Sequence, residues 1–238
     1  MRSLSRIFKS SAAATVCILA FAGVEAKTIT LPVENASAQS APVKSDAEKS
    51  VGSEMEELEF VEALNSVPLD AKSADLIRKF QEKEGRSRLH AREYNEKNGC
   101  TVETFRNKEV LLITIPAYKL FAPNSTELRQ SASTFLLPLK RYLKSPDMYR
   151  VLIVMHTDNT GSEAYRDMIT EKRSEAVADW FEEQGADTEY LFPFAYGDEM
   201  PLKENNSMAN RAKNRRLEVY LVPGKQMLEQ AKKGRIVF

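Results

Sequence analysis

Two residues in the stretch HTDNTGSEAYRDMITEKRSEA, residues 156–176, carry opposite charges at a spacing that could serve a ligand: Asp158 and Arg173. A carboxylate accepts charge-assisted hydrogen bonds from an ammonium, and a planar guanidinium donates two parallel ones to a carboxylate. One ligand group bearing both charges, a zwitterion, would satisfy the pair. Two other readings of the same charges stay open: solvated surface residues, or a structural pair that satisfies itself. Catalysis has a weaker claim. His156 flanks Asp158, but the chain has two histidines in all, and the other, His90, sits in a polar segment without companion ligands. No GxSxG elbow, HExxH zinc motif or phosphate-cradling glycine loop is present. The expectation is binding, with no catalytic residue, metal or cofactor, and with His156 ordering a loop.

These side chains need elements that position them. YRVLIVM, 149–155, is an unbroken apolar run that suits a strand buried on both faces. The loop after it, 156–161, precedes a helix from about Ser162 to Glu183, with Ile169, Ala176, Val177, Trp180 and Phe181 on one side and Gly185 past its end. A helix start favours anions. Arg173 lies roughly 15 Å along that helix at 1.5 Å per residue, so the strand end must lean along the helix for Asp158 and Arg173 to meet. Upstream, CTVETFR and EVLLITIP flank Asn107 and Lys108 as a hairpin. Next comes LFAPNSTELRQSASTFLLPLKRYLKS. Here Asn124 and Glu127 resemble an N-cap and its partner, Leu128, Ala132, Phe135, Leu136, Leu139 and Leu143 recur at helical spacing, and Pro138 predicts a bend. A short polar helix around 206–214 and an alternating strand LEVYLV, 217–222, complete the pattern. Strand, helix, strand, helix, strand gives an α+β fold, a mixed sheet with helices packed over it.

The remainder reads as appendages. Residues 1–26 have a basic start, an apolar stretch and a small residue before a cut after Ala26, the three parts of a cleaved export signal. Val16 before Cys17 does not suit a lipid-attachment signal. Residues 27–53, rich in Ala, Ser, Lys and Glu, read as a disordered linker. Residues 54–99 read as a helical lead-in packing lightly on the domain or projecting from it, its second helix running from about Ser73 to Asn98 and ended by Gly99. Residues 224–238 read as a solvated, basic helical tail. Lys+Arg and Asp+Glu are equal at 34 each, which leaves no basic footprint for nucleic acid. With Cys17 removed, Cys100 is the one thiol, read as buried and inert, so no disulfide framework holds the fold.

HTDNTGSEAY, TEKRSEAV and NRAKNRRLEVYLV (210–222), together with Leu120-Phe121 and Tyr196-Gly197, resemble in order and spacing the OmpA-like C-terminal domain over about residues 100–223. This family is shared by porin-like outer-membrane proteins, the peptidoglycan-associated lipoprotein and flagellar stator proteins. The resemblance implies a βαβαβ-type domain gripping the stem peptide of peptidoglycan at the free end of diaminopimelate. Asp158 would take its ammonium and Arg173 its carboxylate, with Thr160 and Gly161 offering hydroxyl or backbone N–H groups. Asn214, Arg215 and Arg216, part of the family signature, would be structural or line the rim. The chain departs from the family at Met155, where Gly is usual before the histidine, and at Arg166, where Asn is usual; Arg166 would either donate to a carboxylate or repel an ammonium. The implied location is the periplasm or the periplasmic face of the outer membrane, the partners peptidoglycan and either another envelope protein or a second copy. The alternative is the same fold kept as an interaction scaffold without wall binding.

Overall fold

A computed structural model describes residues 59–64, 69–89, 94–144 and 147–238. The export signal, the linker and the first turn of the lead-in, like His90, lie outside the described residues.

Five strands form one sheet in the order β1-β2-β5-β3-β4. β1 (Thr101–Phe105) and β2 (Val110–Pro116) are the expected antiparallel hairpin, turned by Arg106, Asn107 and Lys108 at positive φ. β3 (Tyr149–His156) and β5 (Arg216–Pro223) sit at the centre, antiparallel to each other. β4 (Leu191–Ala195) pairs parallel with β3 along one edge. The sequence pattern did not predict β4, because LFPFA neither alternates nor lacks proline. Pro193 has no N–H to give a second neighbour, and an edge position asks for none.

Period-two alternation divides the apolar residues between two faces. Leu111, Ile113 and Ile115, Val151, Ile153 and Met155, and Leu217, Val219 and Leu221 build the main core. Val110, Leu152, Val154, Tyr220 and Val222 face the other side, where Phe60 of the helical residues 59–64 meets Phe194, Tyr196 and Tyr220 edge-on.

Helix α1 (Ala71–Glu84) starts at Asp70, whose side chain accepts from the N–H groups of Lys72 and Ser73. It differs from the loosely packed lead-in expected. Ile77 is fully buried in the main core. The buried Gln81 donates from Nε2 to the carbonyls of Glu109 (3.0 Å) and Leu221 (3.3 Å), and its Oε1 accepts from the Tyr149 hydroxyl (3.1 Å). The long helix expected to Asn98 instead widens at Gly85–Leu89, and a short 3-10 turn, Glu96–Asn98, is closed by Gly99 at φ +70. Cys100 is buried as expected, and burial pushes its thiol up to about 11.

Residues 125–143 also differ from the single helix expected. The N–H of Arg129 bonds back to the Leu120 carbonyl (2.8 Å), and Asn124 takes φ +56 in place of the extended backbone typical of an N-cap. Short turns follow at Gln130–Ala132, Ser133–Leu136 and Leu137–Leu143, the last with Pro138 in its first turn. Proline fits a helix start but removes an interior donor, so the pattern breaks there. The apolar residues Phe135, Leu136, Leu139 and Leu143 still reach the core.

Helix α2 (Glu163–Glu183), capped by Ser162, matches its prediction and buries Ile169, Val177 and Phe181. Helix α3 (Met208–Asn214) is the expected short polar one. The tail is not solvated. Helix α4 (Lys225–Lys232) buries Met227, Leu228 and Ala231 and packs against α1, while Phe238 stacks on Tyr142 at 5.6 Å and meets Tyr149 edge-on.

Because α1 is core, Ile77→Ala should cost about 2–5 kcal/mol, as buried Ile-to-Ala changes do. Urea denaturation checks this, and a loss under about 0.5 kcal/mol would return α1 to the status of an appendage.

Candidate functional site

The β3 strand end, the loop after it and the start of α2 open into a cleft of about 300 Å³. Asp158, Thr160, Arg173 and Arg215 all line it, together with Phe121, Asn124 and Tyr165. The lean of strand along helix that Asp158 and Arg173 require is therefore present.

Asp158 is buried, and both its oxygens are held. Oδ1 accepts from the Thr160 N–H at 2.8 Å, and Oδ2 pairs with the Arg215 guanidinium. Burial would raise its carboxyl, but the Thr160 and Arg215 bonds outweigh that and set it below the ordinary carboxylate value. It is a fixed negative charge with lone pairs left for a further donor. Thr160 contributes through the backbone, but its N–H is engaged by Asp158 rather than free for a ligand, which corrects one role expected for it.

Arg173 is buried under the other wall. Its Nε donates to the Ser125 carbonyl (2.8 Å) and its Nη2 to the Ala122 carbonyl (3.3 Å), while its Cζ lies 4.9 Å from the centre of the Phe121 ring. Burial lowers its pKa, yet a guanidinium stays protonated at any physiological pH. Two of its five N–H donors are engaged by these carbonyls, which orient the fork.

Arg166, expected as a ligand residue, does not line this cleft. Its Nε donates to Asp198 Oδ1 at 2.6 Å and its Nη1 to the Gly161 carbonyl at 2.7 Å, so it fastens the site loop to the loop after β4. Gly161 likewise acts through conformation and does not line the cleft. It takes φ +90, and a Cβ there would lie 2.9 Å from the Tyr165 ring.

Behind the cleft the signature residues are structural. Asn214 is buried and binds both the N–H and the carbonyl of Lys203, at 3.0 and 2.7 Å. Arg216 is buried and donates to Glu218 Oε1 (2.7 Å) and to the carbonyls of Asn214 and Met200. His156 stacks on Tyr196, with Nε2 3.3 Å from Glu218 Oε2. Burial keeps His156 below its ordinary 6.5 and therefore neutral. Burial would raise Glu218, but His156, Arg216 and the Tyr220 hydroxyl outweigh it and hold the carboxyl at about 2. Arg215 alone of this group reaches the rim.

Sequence reasoning missed Tyr118, Asn124, Arg129 and Tyr165 as cleft residues. The Tyr165 hydroxyl donates to Asn124 Oδ1 (3.1 Å) across 41 positions of sequence, a contact without any local signal. Phe121 had been signalled only as part of the Leu120-Phe121 pair.

Residues 120–215 match the model of the OmpA family. Over 104 residues the chain is 33% identical to the outer-membrane lipoprotein YfiB of Pseudomonas aeruginosa, covering 44% of this chain and 61% of that protein. It is 31% identical over 99 residues to the peptidoglycan-associated lipoprotein of Legionella pneumophila, covering 42% of this chain and 56% of the other. Among solved structures, a MotB-like protein from Desulfovibrio vulgaris superposes with a TM-score of 0.53 at 25% identity, over 63% of this chain and 95% of that one. The chain thus spans less than two thirds of the length of these two lipoproteins.

The His156–Glu218–Arg216 cluster sets an acid limit. Both His156 and Glu218 have folded pKa values below their unfolded ones, so each contribution is fully present above the unfolded value and is lost as pH falls through it toward the folded one. Stability should therefore decline below about pH 6.5 through His156, and further below 4.5 through Glu218. The slope is at most about 1.4 kcal/mol per pH unit for each group. Urea midpoints against pH check this: between pH 6.5 and 5 the decline should be shallower in His156→Gln, and an unchanged slope would remove His156 as the source.

Proposed function

We propose that the OmpA-like domain of about residues 100–223 grips peptidoglycan noncovalently, at the free end of diaminopimelate in the stem peptide, and links the wall to another envelope component. The observation that carries this is a single cleft lined by an ionised, buried carboxylate and a buried, oriented guanidinium. An ammonium would add to the lone pairs left on Asp158, and a carboxylate would take the N–H groups of Arg173 not used by Ser125 and Ala122.

Two of the similar proteins point to the same setting by name, one an outer-membrane lipoprotein and the other peptidoglycan-associated. The reading is of a noncatalytic module in the periplasm or at the periplasmic face of the outer membrane. No helix among the described residues is long and apolar enough to cross a membrane. The partner is another envelope protein or a second copy. Arg166 does not weigh against wall binding, because Asp198 pairs its charge and Gly161 takes one of its Nη1 donors away from the cleft.

Sedimentation with purified sacculi tests the reading. The wild-type chain should pellet with the wall. Asp158→Asn, which keeps the shape and removes the charge, and Arg173→Lys, which keeps the charge and removes the fork, should each weaken pelleting on the order of ten-fold or more. Circular dichroism melts identify any variant that loses binding only because it unfolds. If the wild-type chain stays in the supernatant, or both folded variants pellet like it, the domain is an interaction scaffold instead. Raising ionic strength toward 1 M shortens the screening length to ~3 Å and should release the chain; binding indifferent to salt would exclude a charge clamp.

A further inference from the structure

The charged residues lining the cleft do not balance. Against the single carboxylate of Asp158 stand three guanidinium groups, those of Arg129, Arg173 and Arg215. Arg215 already pairs with Asp158, and Arg173 is oriented by two carbonyls. Arg129 is different. Its backbone is fixed on both sides of the Cα, the N–H donating to the Leu120 carbonyl (2.8 Å) and the carbonyl accepting from the Ala132 N–H (2.9 Å). Its side chain has no hydrogen-bond or ion-pair partner among the described residues. Arg129 is an exposed residue at the cleft lining, so its unengaged guanidinium is a donor open to a ligand.

A zwitterionic end carries one ammonium and one carboxylate and is neutral, so it leaves the cationic excess in place. Low-dielectric walls strengthen the field of such an excess. A cleft of about 300 Å³ also has room for more than the end of one amino acid. We propose that Arg129 receives a second carboxylate of the ligand. The site then takes a peptide with two carboxylates and one ammonium in reach of the cleft, and rejects the peptide in which that second carboxylate is amidated. This rests on the wall-binding reading and narrows its ligand. In a stem peptide the second carboxylate has two sources, the α-carboxylate of the γ-linked glutamate and the C-terminal carboxylate of the peptide.

The test uses the whole chain and three synthetic tripeptides, L-alanyl-γ-D-glutamyl-meso-diaminopimelate with all carboxylates free, the same peptide amidated at the glutamate α-carboxylate, and the same peptide amidated at its C terminus. Isothermal calorimetry compares the wild type with Arg129→Gln, an exposed substitution whose melt should match the wild type. Arg129→Gln should bind the free peptide about ten-fold more weakly, the loss of one charge-assisted contact. One of the two amidated peptides should bind the wild type equally weakly and lose nothing further in Arg129→Gln, which identifies the source. Equal losses with all three peptides, or no loss with any, overturn the role of Arg129 while wall binding stands. If the wild type binds none of the three, the wall-binding reading itself falls and takes this inference with it.

Discussion

The antiparallel register between β3 and β5 is the constraint from which the site follows. It sets His156 opposite Arg216 at the last rung. Asp158, two residues past one strand end, and Arg215, one residue before the other, then meet across 57 positions of sequence. On the same sheet face, Arg216, Glu218 and Tyr220 follow one another at period two and close on His156. A slip of one residue would turn this buried charge cluster toward the aliphatic core and bring Leu217 to the other face. Burying charge costs desolvation, which pairing offsets. Arg216 and Glu218 pair in this register, so the cluster disfavours a slip.

The remaining elements hold that register and aim its products. Helix α2 carries Arg173 along the cleft, and the irregular run after Phe121 supplies the carbonyls of Ala122 and Ser125 that orient it. An unbroken helix over 125–143 would have bonded the Ser125 carbonyl to its own backbone. The irregular run leaves that acceptor for Arg173. On the opposite side of the sheet from the Phe60 cluster, α1 and α4 cover the main core and join segments remote in sequence. Gln81 performs the same task in polar form, bonding the ends of β2 and β5 to α1.

Much of this was legible in the residues. The alternation in LEVYLV and the apolar run of β3 specify central strands because side chains must match the faces available to them. The helical spacing in α2 specifies its buried side in the same way. Charge type left Asp158 and Arg173 open to three readings, a zwitterion site among them, and only the resemblance of the surrounding motifs to the OmpA-like domain singled that one out as the expectation. The strand around Pro193 was not legible, because only its edge position excuses the missing N–H. The packing of α1 and of the tail was not legible either: sparse apolar residues suffice when both segments share one core, and that sharing is invisible along the chain.

By itself, then, the sequence determined the α+β class, the order of the principal elements and the chemical types present at the site, since these depend on local periodicity and on side-chain identity. Tertiary structure decided which charges remain available. Arg166 is taken by Asp198 and Gly161, Arg215 by Asp158, and Arg216 by Glu218, whereas Arg129 is left facing the cleft. Four arginines of identical chemistry have four different fates because hydrogen bonding and burial depend on neighbours in space, and most of those neighbours lie tens of residues away.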